Sequence, residues 1–331
     1  MHFTPAIRWQ QKKQKRLANA GPNQPGEDVM NERIGFIGIG AMGSGMAANL
    51  LTKGFPLTVL AHRRREAVDD LVAKGAAEAR TGRELAEASD IVVLCVTGSP
   101  QVEQAIKGPD GLASAGKPLL IIDCSTSNPS TTVTLAADLA TTGIILIDAP
   151  LARTPKEAAE GKLDVMSGGA SEVFARAKPV LDAFAARVIH TGPTGSGHTM
   201  KLLNNFISMG YSAIYSEALT LGVKAGLTPQ VFDSVIRGSR MDCSFYQAFF
   251  DFVLNRNENA QRFAMVNALK DMSYLASFAQ SADVANPIGA AVRNSFATAV
   301  ATGHGEAFVP ALSDVIAGLN GVSLTNPLPI R

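Results

Sequence analysis

The feature that most constrains this 331-residue chain is a glycine loop set between a strand pattern and a helix pattern. Residues 33–39 form a short β-rich apolar run of the kind a buried parallel strand requires. Gly38-Ile39-Gly40-Ala41-Met42-Gly43 comes next, followed by a helical stretch from Met46 to Lys53 that ends at Gly54. In that setting Gly38 permits the tight turn, Gly40 lets backbone approach a pyrophosphate, and Gly43 lets helix lie on strand. The helix start adds unpaired N–H groups and a positive dipole end for phosphates. The alternative is a plain strand–helix turn that happens to be rich in glycine.

A second strand is expected over Leu57 to Ala61. A site built for NAD places an acidic residue near the end of this strand to hold the ribose hydroxyls. Here the chain reads Ala61-His62-Arg63-Arg64-Arg65, and the first acid is Glu66. A carboxylate would repel a 2′-phosphate, whereas guanidinium groups bind one bidentately. The spacing therefore favours NADP(H) over NAD(H), with His62, Arg63 and Arg64 as candidate contacts; Arg65 is expected to stand apart. The alternative is that these arginines cover the next helix's first turn in solvent.

Further apolar runs at Ile91–Val96, Leu119–Asp123, Ile144–Ile147, Leu163–Ser167 and Arg187–Ile189 alternate with helical stretches such as Thr131–Ala140. Strands alternating with helices predict a mainly parallel, doubly wound α/β sheet with its ligand at the strands' carboxyl ends. Cys95 and Cys124, in or at the end of such strands, are expected to be buried packing residues. With Cys243 they are too few and too scattered for a disulfide framework or a zinc site. The five histidines are also scattered, so no metal is expected; His190 and His198 are expected to be structural.

Residues 1–29 differ from the rest. Arg8, Lys12, Lys13, Lys15 and Arg16 stand among Gln, Asn, Pro and Gly without an apolar period. This segment is expected to be a disordered extension and not a secretory signal, and it carries the chain's one tryptophan, Trp9. Thirty basic against twenty-nine acidic residues leave no global charge to favour nucleic acid or a membrane surface. No apolar string approaches the ~20 residues of a membrane helix, and the expectation is a soluble, cytoplasmic protein.

Two segments look chemical. Asp123-Cys124-Ser125-Thr126-Ser127-Asn128-Pro129 ends a strand and opens a helix, where hydroxyls and free N–H groups suit a carboxylate; a ligand-free N-cap is the alternative. A long helix is expected from Thr194 to about Ala225, with Gly226 as its stop. Its start, Gly195-Ser196-Gly197, could admit a neighbouring backbone or a ligand. On it Lys201, Asn204, Asn205 and Ser208 recur at i, i+3, i+4, i+7 among apolar residues. Desolvation lowers a lysine's pKa, which suits an acid/base working near neutrality. The competing reading is a lysine whose head reaches solvent beside idle amides.

Taken in order, the glycine loop, Asp123-x-Ser125-Thr126-x-x-Pro129, Gly195-x-Gly197-x-x-x-Lys201-x-x-Asn204-Asn205 and Lys270-Asp271 resemble the signatures of the β-hydroxyacid dehydrogenases, from about residue 33 to 320. That family includes 3-hydroxyisobutyrate dehydrogenase and tartronate semialdehyde (2-hydroxy-3-oxopropionate) reductase. The resemblance implies a Rossmann-type domain over 30–193, a long connecting helix, and an all-helical substrate and oligomerisation domain over 194–331, assembled as a homodimer or homotetramer. It implies Lys201 as the general acid/base, Asn204 and Asn205 beside the substrate, and Ser125 and Thr126 on its carboxylate. It places Lys270 by the cofactor, Phe263 and Asp271 around the pocket, and Met42, Val96 and Thr97 with Gly38, Gly40, Ala41 and Gly43 on cofactor-contacting loops.

One loop departs. Many members follow Asp-Ala-Pro with Val-Ser-Gly-Gly, whereas this chain reads Asp148-Ala149-Pro150-Leu151-Ala152-Arg153-Thr154-Pro155. The loop is similar to that of sulfolactaldehyde reductases, so Arg153 is either a ligand for a sulfonate or second carboxylate, or a loop residue paired with Asp148 or Glu157. The expected activity is interconversion of a short β-hydroxy acid and its semialdehyde. The rivals are an imine reductase or a non-catalytic NADP(H)-binding scaffold, and Lys201 weighs against both.

Overall fold

The computed structural model describes residues 32–62 and 65–325, so the expectations for the 1–29 extension, Trp9, Arg63 and Arg64 lie outside the described residues. The first part of the chain alternates as β1 (Ile34–Ile37), α1 (Gly43–Thr52), β2 (Leu57–Leu60), α2 (Glu66–Ala73), β3 (Ala77–Ala79), α3 (Gly82–Ala88), β4 (Ile91–Leu94), α4 (Ser99–Lys107), β5 (Leu119–Asp123), α5 (Pro129–Ala140) and β6 (Ile144–Asp148). These strands pair in parallel in the order β3-β2-β1-β4-β5-β6. The order reverses between β1 and β4, the point in such sheets where a crevice opens at the carboxyl ends.

Burial on both faces explains why these strands read as continuous apolar runs and not as alternations. In β4, Ile91 and Val93 face a core with Phe36, Met46, Leu50 and Phe184. Val92 and Leu94 face a second core with Leu85, Ile106, Leu135 and Leu146. The sheet then departs from all-parallel. After β7 (Leu151–Ala152) and α6 (Pro155–Ala159), β8 (Leu163–Gly168) runs antiparallel to β6 and β7. Following α7 (Ser171–Asp182), β9 (Ala185–Gly192) lies parallel to β8.

The remainder is helical, as expected: α8 (Ser196–Lys224), α9 (Pro229–Ile236), α10 (Ser244–Asn255), α11 (Met265–Ser281), α12 (Pro287–Ala299) and α13 (Leu312–Leu319). Its apolar side chains gather around Leu202, Met272, Phe296 and Leu312, and around Tyr215, Tyr246, Phe249 and Phe250. Among the described residues no helix is long and apolar enough to cross a membrane.

The joint between the two parts is Asp148. Its carboxylate, fully buried, accepts from Gly195 N at 2.6 Å and His198 N at 2.7 Å, so the end of β6 supplies two partners that the first turn of α8 lacks. The helix begins two residues later than the sequence suggests because Gly195 adopts φ +93°. A Cβ on Gly197 would lie 2.4 Å from Met166 O and 2.8 Å from Asp148 Oδ2, so that glycine lets the helix approach the sheet.

Candidate active site

Five segments meet at the carboxyl edge of the sheet: the loop after β1, the loop after β4, the loop after β5, and the facing turns of α8 and α11. The first has the form of a phosphate cradle. Gly38 takes φ +102°, and a Cβ there would sit 2.2 Å from Cys95 O. A Cβ on Gly43 would sit 2.0 Å from Gly38 O, whereas one on Gly40 meets nothing within 4 Å. The cradle is thus closed by backbone on two sides and open at Gly40. No side chain caps the start of α1 at Met42, where Ser44 N donates to Gly40 O at 3.0 Å and the other first amides have no side-chain partner. These features fit a pyrophosphate.

Beyond β2, His62 is exposed. Arg65 is engaged by Glu78 at 3.0 Å and Asp69 at 2.9 Å. Burial pushes the Cys95 thiol up to about 12 and Cys124 well above its ordinary value, so both behave as packing residues and not nucleophiles.

The loop after β5 is fixed from within. Ser125 N donates to Asp123 Oδ1 at 2.9 Å, and Ser127 Oγ donates to Asp123 Oδ2 at 3.2 Å. Val96 N donates to Ser125 Oγ at 3.0 Å, which ties this loop to the one after β4 and leaves the Ser125 proton available to a ligand.

Across from it, Asn205 Nδ2 donates to Asp271 Oδ2 at 2.7 Å, and Asp271 is only 1% exposed. The other oxygen, Oδ1, accepts no hydrogen bond of good geometry and lies 3.1 Å from Lys270 Nζ. Lys270 Nζ in turn donates to Thr97 O at 2.6 Å and Thr126 O at 3.1 Å. Lys201, half-buried and one turn before Asn205, is held below the ordinary lysine value by burial, with Asp271 opposing the shift and Lys270 reinforcing it.

A face of α11 docks on the sheet's loops. Lys270 lies 5.2 Å from the Tyr274 ring centroid, and Tyr274 Oη accepts from Ser99 N at 3.2 Å, at the start of α4, whose N-cap Gly98 has no side chain to offer. Farther along, Asn128 Nδ2 donates to Ser277 Oγ at 3.2 Å, and the Ser130 and Ser281 hydroxyls meet at 3.2 Å.

The structure therefore brings Ser125, Thr126, Val96, Thr97, Lys201, Asn205, Lys270 and Asp271 together. Asn204 is half-buried and reaches only Asn205 Oδ1, at 3.5 Å, while Ser208 turns back to Asn204 O. Phe263 is part-buried against the helical core. One expected pairing is corrected. Arg153 bonds neither Asp148 nor Glu157 but Asp164, at 2.9 Å. The Asp148 carboxylate is consumed by α8, Glu157 closes a capping box with Thr154, and the β7–β8 pairing sets Asp164 opposite Ala152, beside Arg153. Sequence reasoning did not find Tyr274 or the work done by Asp148; neither position carries a local signal.

Residues 33–192 match the model for the NAD binding domain of 6-phosphogluconate dehydrogenase, and residues 195–315 that for the NAD-binding domain of NADP-dependent 3-hydroxyisobutyrate dehydrogenase. The chain is 35% identical to the 2-(hydroxymethyl)glutarate dehydrogenase of Eubacterium barkeri over 88% of its own length and 97% of that protein's. The chain belongs to the β-hydroxyacid dehydrogenase family. Another relative, the 3-sulfolactaldehyde reductase of Escherichia coli, is 32% identical over 82% of this chain and 91% of the relative. The crystal structure of 3-hydroxyisobutyrate dehydrogenase from Salmonella typhimurium superposes with a TM-score of 0.75 at 28% identity, covering 86% of this chain and all of that one. As a β-hydroxyacid dehydrogenase the chain is an oxidoreductase of hydroxyl groups with NAD(P)-binding domains.

Proposed function

We propose that this dehydrogenase interconverts a short β-hydroxy acid and its semialdehyde with NADP(H) preferred, and that Lys201 is its general acid/base. The observation that carries this reading is the partly desolvated Lys201 amine beside the Asn205–Asp271–Lys270 cluster, on the edge where the Ser125 hydroxyl also lies. A bound nicotinamide dinucleotide supplies the hydride acceptor or donor. Neutral Lys201 takes the hydroxyl proton as the alcohol carbon is oxidised, and the ammonium returns it in reduction. Ser125 and Thr126 hold the acid's carboxylate, Asn204 and Asn205 orient the substrate, and Phe263 limits the pocket. An additional anionic group on the substrate is supported by the names of the glutarate and sulfolactaldehyde relatives; Arg153 would bind it only by exchanging its bond to Asp164. The test is NADPH consumption with methylmalonate, tartronate and succinate semialdehydes and sulfolactaldehyde. Turnover of none of them by a protein that still binds NADPH would leave only a binding scaffold.

The cofactor preference rests on the end of β2, where Arg65 is already taken by Glu78 and Asp69 and leaves Arg63 and Arg64 for a 2′-phosphate. Replacing both with alanine is expected to weaken NADPH by about tenfold or more, since a charge-assisted hydrogen bond contributes about 1.5–3 kcal/mol, while NADH binding changes little. Equal losses in the two titrations would show that this strand end reads no phosphate.

A homo-oligomer is part of the same reading. Met200, Leu203, Ile207, Ile214 and Leu221 are all exposed along α8, four of them in seven-residue steps, and Leu221 is 72% exposed. Such a seam suits a second helix of the same kind, and the occupant we assign is a second copy of this chain. Placing glutamate at both 207 and 214 is expected to halve the mass measured by light scattering; a wild type that is already monomeric would refute the assignment.

A further inference from the structure

His198 has no task in the chemistry above, yet it is among the most enclosed polar groups in the protein. Its ring is fully buried between α8, α5 and the loop after β5. Nδ1 lies 2.8 Å from Thr132 Oγ1, and Nε2 lies 3.1 Å from Ser125 O. A carbonyl only accepts, so Nε2 carries the proton that makes the second bond. Two buried carboxylates flank the ring, Asp123 Oδ2 at 3.8 Å from Nε2 and Asp148 Oδ2 at 3.9 Å from Nδ1. Each carboxylate is occupied by other donors: Asp123 by Ser125 N and Ser127 Oγ, Asp148 by Gly195 N and His198's own N–H.

We propose that His198 is a positioning residue for the reaction: its Nε2–H holds the Ser125 backbone in register with Lys201, three residues farther along the same helix. This rests on the reading of Ser125 as carboxylate anchor and Lys201 as proton donor. Those two groups stand on different domains. Ser125 belongs to the loop after β5 and Lys201 to α8, and the imidazole bonds directly from α8 to Ser125. The distance between anchor and proton donor decides whether the hydroxyl carbon of a short acid sits within reach of the amine, and displacement of about 1 Å in such a geometry costs about 100-fold in rate. The ring is suited to the task because it is stiff, fully enclosed, and fixed at its other nitrogen by Thr132.

The two isosteric amides separate this role from a merely structural one. A glutamine side chain carries its amide to the place of Nε2 and can still donate to Ser125 O, whereas asparagine reaches only the place of Nδ1 and can satisfy only Thr132. With the semialdehyde of the panel that wild type turns over fastest, His198→Gln is expected to retain kcat/KM close to wild type. His198→Asn is expected to lose about 10- to 100-fold in kcat/KM, chiefly through kcat, with NADPH affinity unchanged. Equal kinetics for both variants, or an asparagine enzyme better than the glutamine one, would overturn the proposal, as would a fall in Tm alone. Should the asparagine protein fail to fold, a folded glutamine variant that binds NADPH yet has lost turnover of the semialdehyde overturns it equally, and one with wild-type constants supports it. Lys201→Met is run in parallel. If that variant keeps full turnover, the site reading fails and this proposal with it; if it is inactive while the two amides match each other, only the role of His198 fails.

Discussion

Lys201→Met is expected to lower kcat in both directions by about 10²- to 10⁴-fold, the usual contribution of a positioned acid/base, with NADPH affinity preserved. Methionine keeps the volume on α8 and removes the proton carrier, so a loss confined to kcat isolates the proton transfer from folding and binding. The pH dependence follows from the direction of the shift. Burial lowers the Lys201 pKa, so the neutral amine needed for oxidation forms below the ordinary lysine range of about 10.4. Oxidation therefore rises with pH through that midpoint, while reduction, which needs the ammonium, falls through it. Asp271 pulls the value up, so Asp271→Asn is expected to move the midpoint to lower pH, and removal of the Lys270 charge to move it higher. Wild-type rates from Lys201→Met, measured by NADPH absorbance in both directions, would remove the proposed chemistry altogether.

Alanine at Gly38 and alanine at Gly40 are expected to fail in opposite ways, although the positions are two residues apart. At Gly38 the side chain meets both a φ of +102° and the Cys95 carbonyl at 2.2 Å. The left-handed penalty alone is about 1–2 kcal/mol, and the backbone overlap adds to it, so the expected result is a large fall in Tm of the unliganded protein. At Gly40 the added methyl touches nothing, so the unliganded Tm should not move. The same methyl would occupy the space proposed for the pyrophosphate, and NADPH affinity is expected to fall at least about tenfold, or 1.4 kcal/mol. Calorimetry and an NADPH titration on the two proteins read these outcomes. A Gly40→Ala protein with wild-type affinity would place the phosphates elsewhere.

The long buried strands and the helical second half were legible in the sequence because apolar runs and periodicity report burial directly. β3 and β7, three and two residues long, carry too few side chains to make a pattern. The reversal of β8 was invisible for another reason: an apolar run reports that a strand is buried, not which way it points. The Arg153 pairing was lost with it, since Asp164 comes alongside only through the antiparallel β7–β8 contact. In the site, the spacing on α8 marked Lys201 and Asn205; Asp271 entered through family resemblance alone, and its bond to Asn205, 66 residues away, carries no sequence signal. His198 looked structural because its partners, Thr132 and Ser125, are 66 and 73 residues away in the chain.

The hydroxyl that Tyr274 lends to the first amide of α4 has a consequence for how the molecule moves. That helix starts at Ser99, whose N-cap Gly98 directly follows Thr97, and it obtains its terminal partner from the opposite half of the protein. Prising the halves apart would therefore fray the helix at its root and, in the same stroke, release the lysine that grips Thr97 and Thr126. Three hydrogen bonds thus tie the order of the nucleotide-side loops to contact between the two halves.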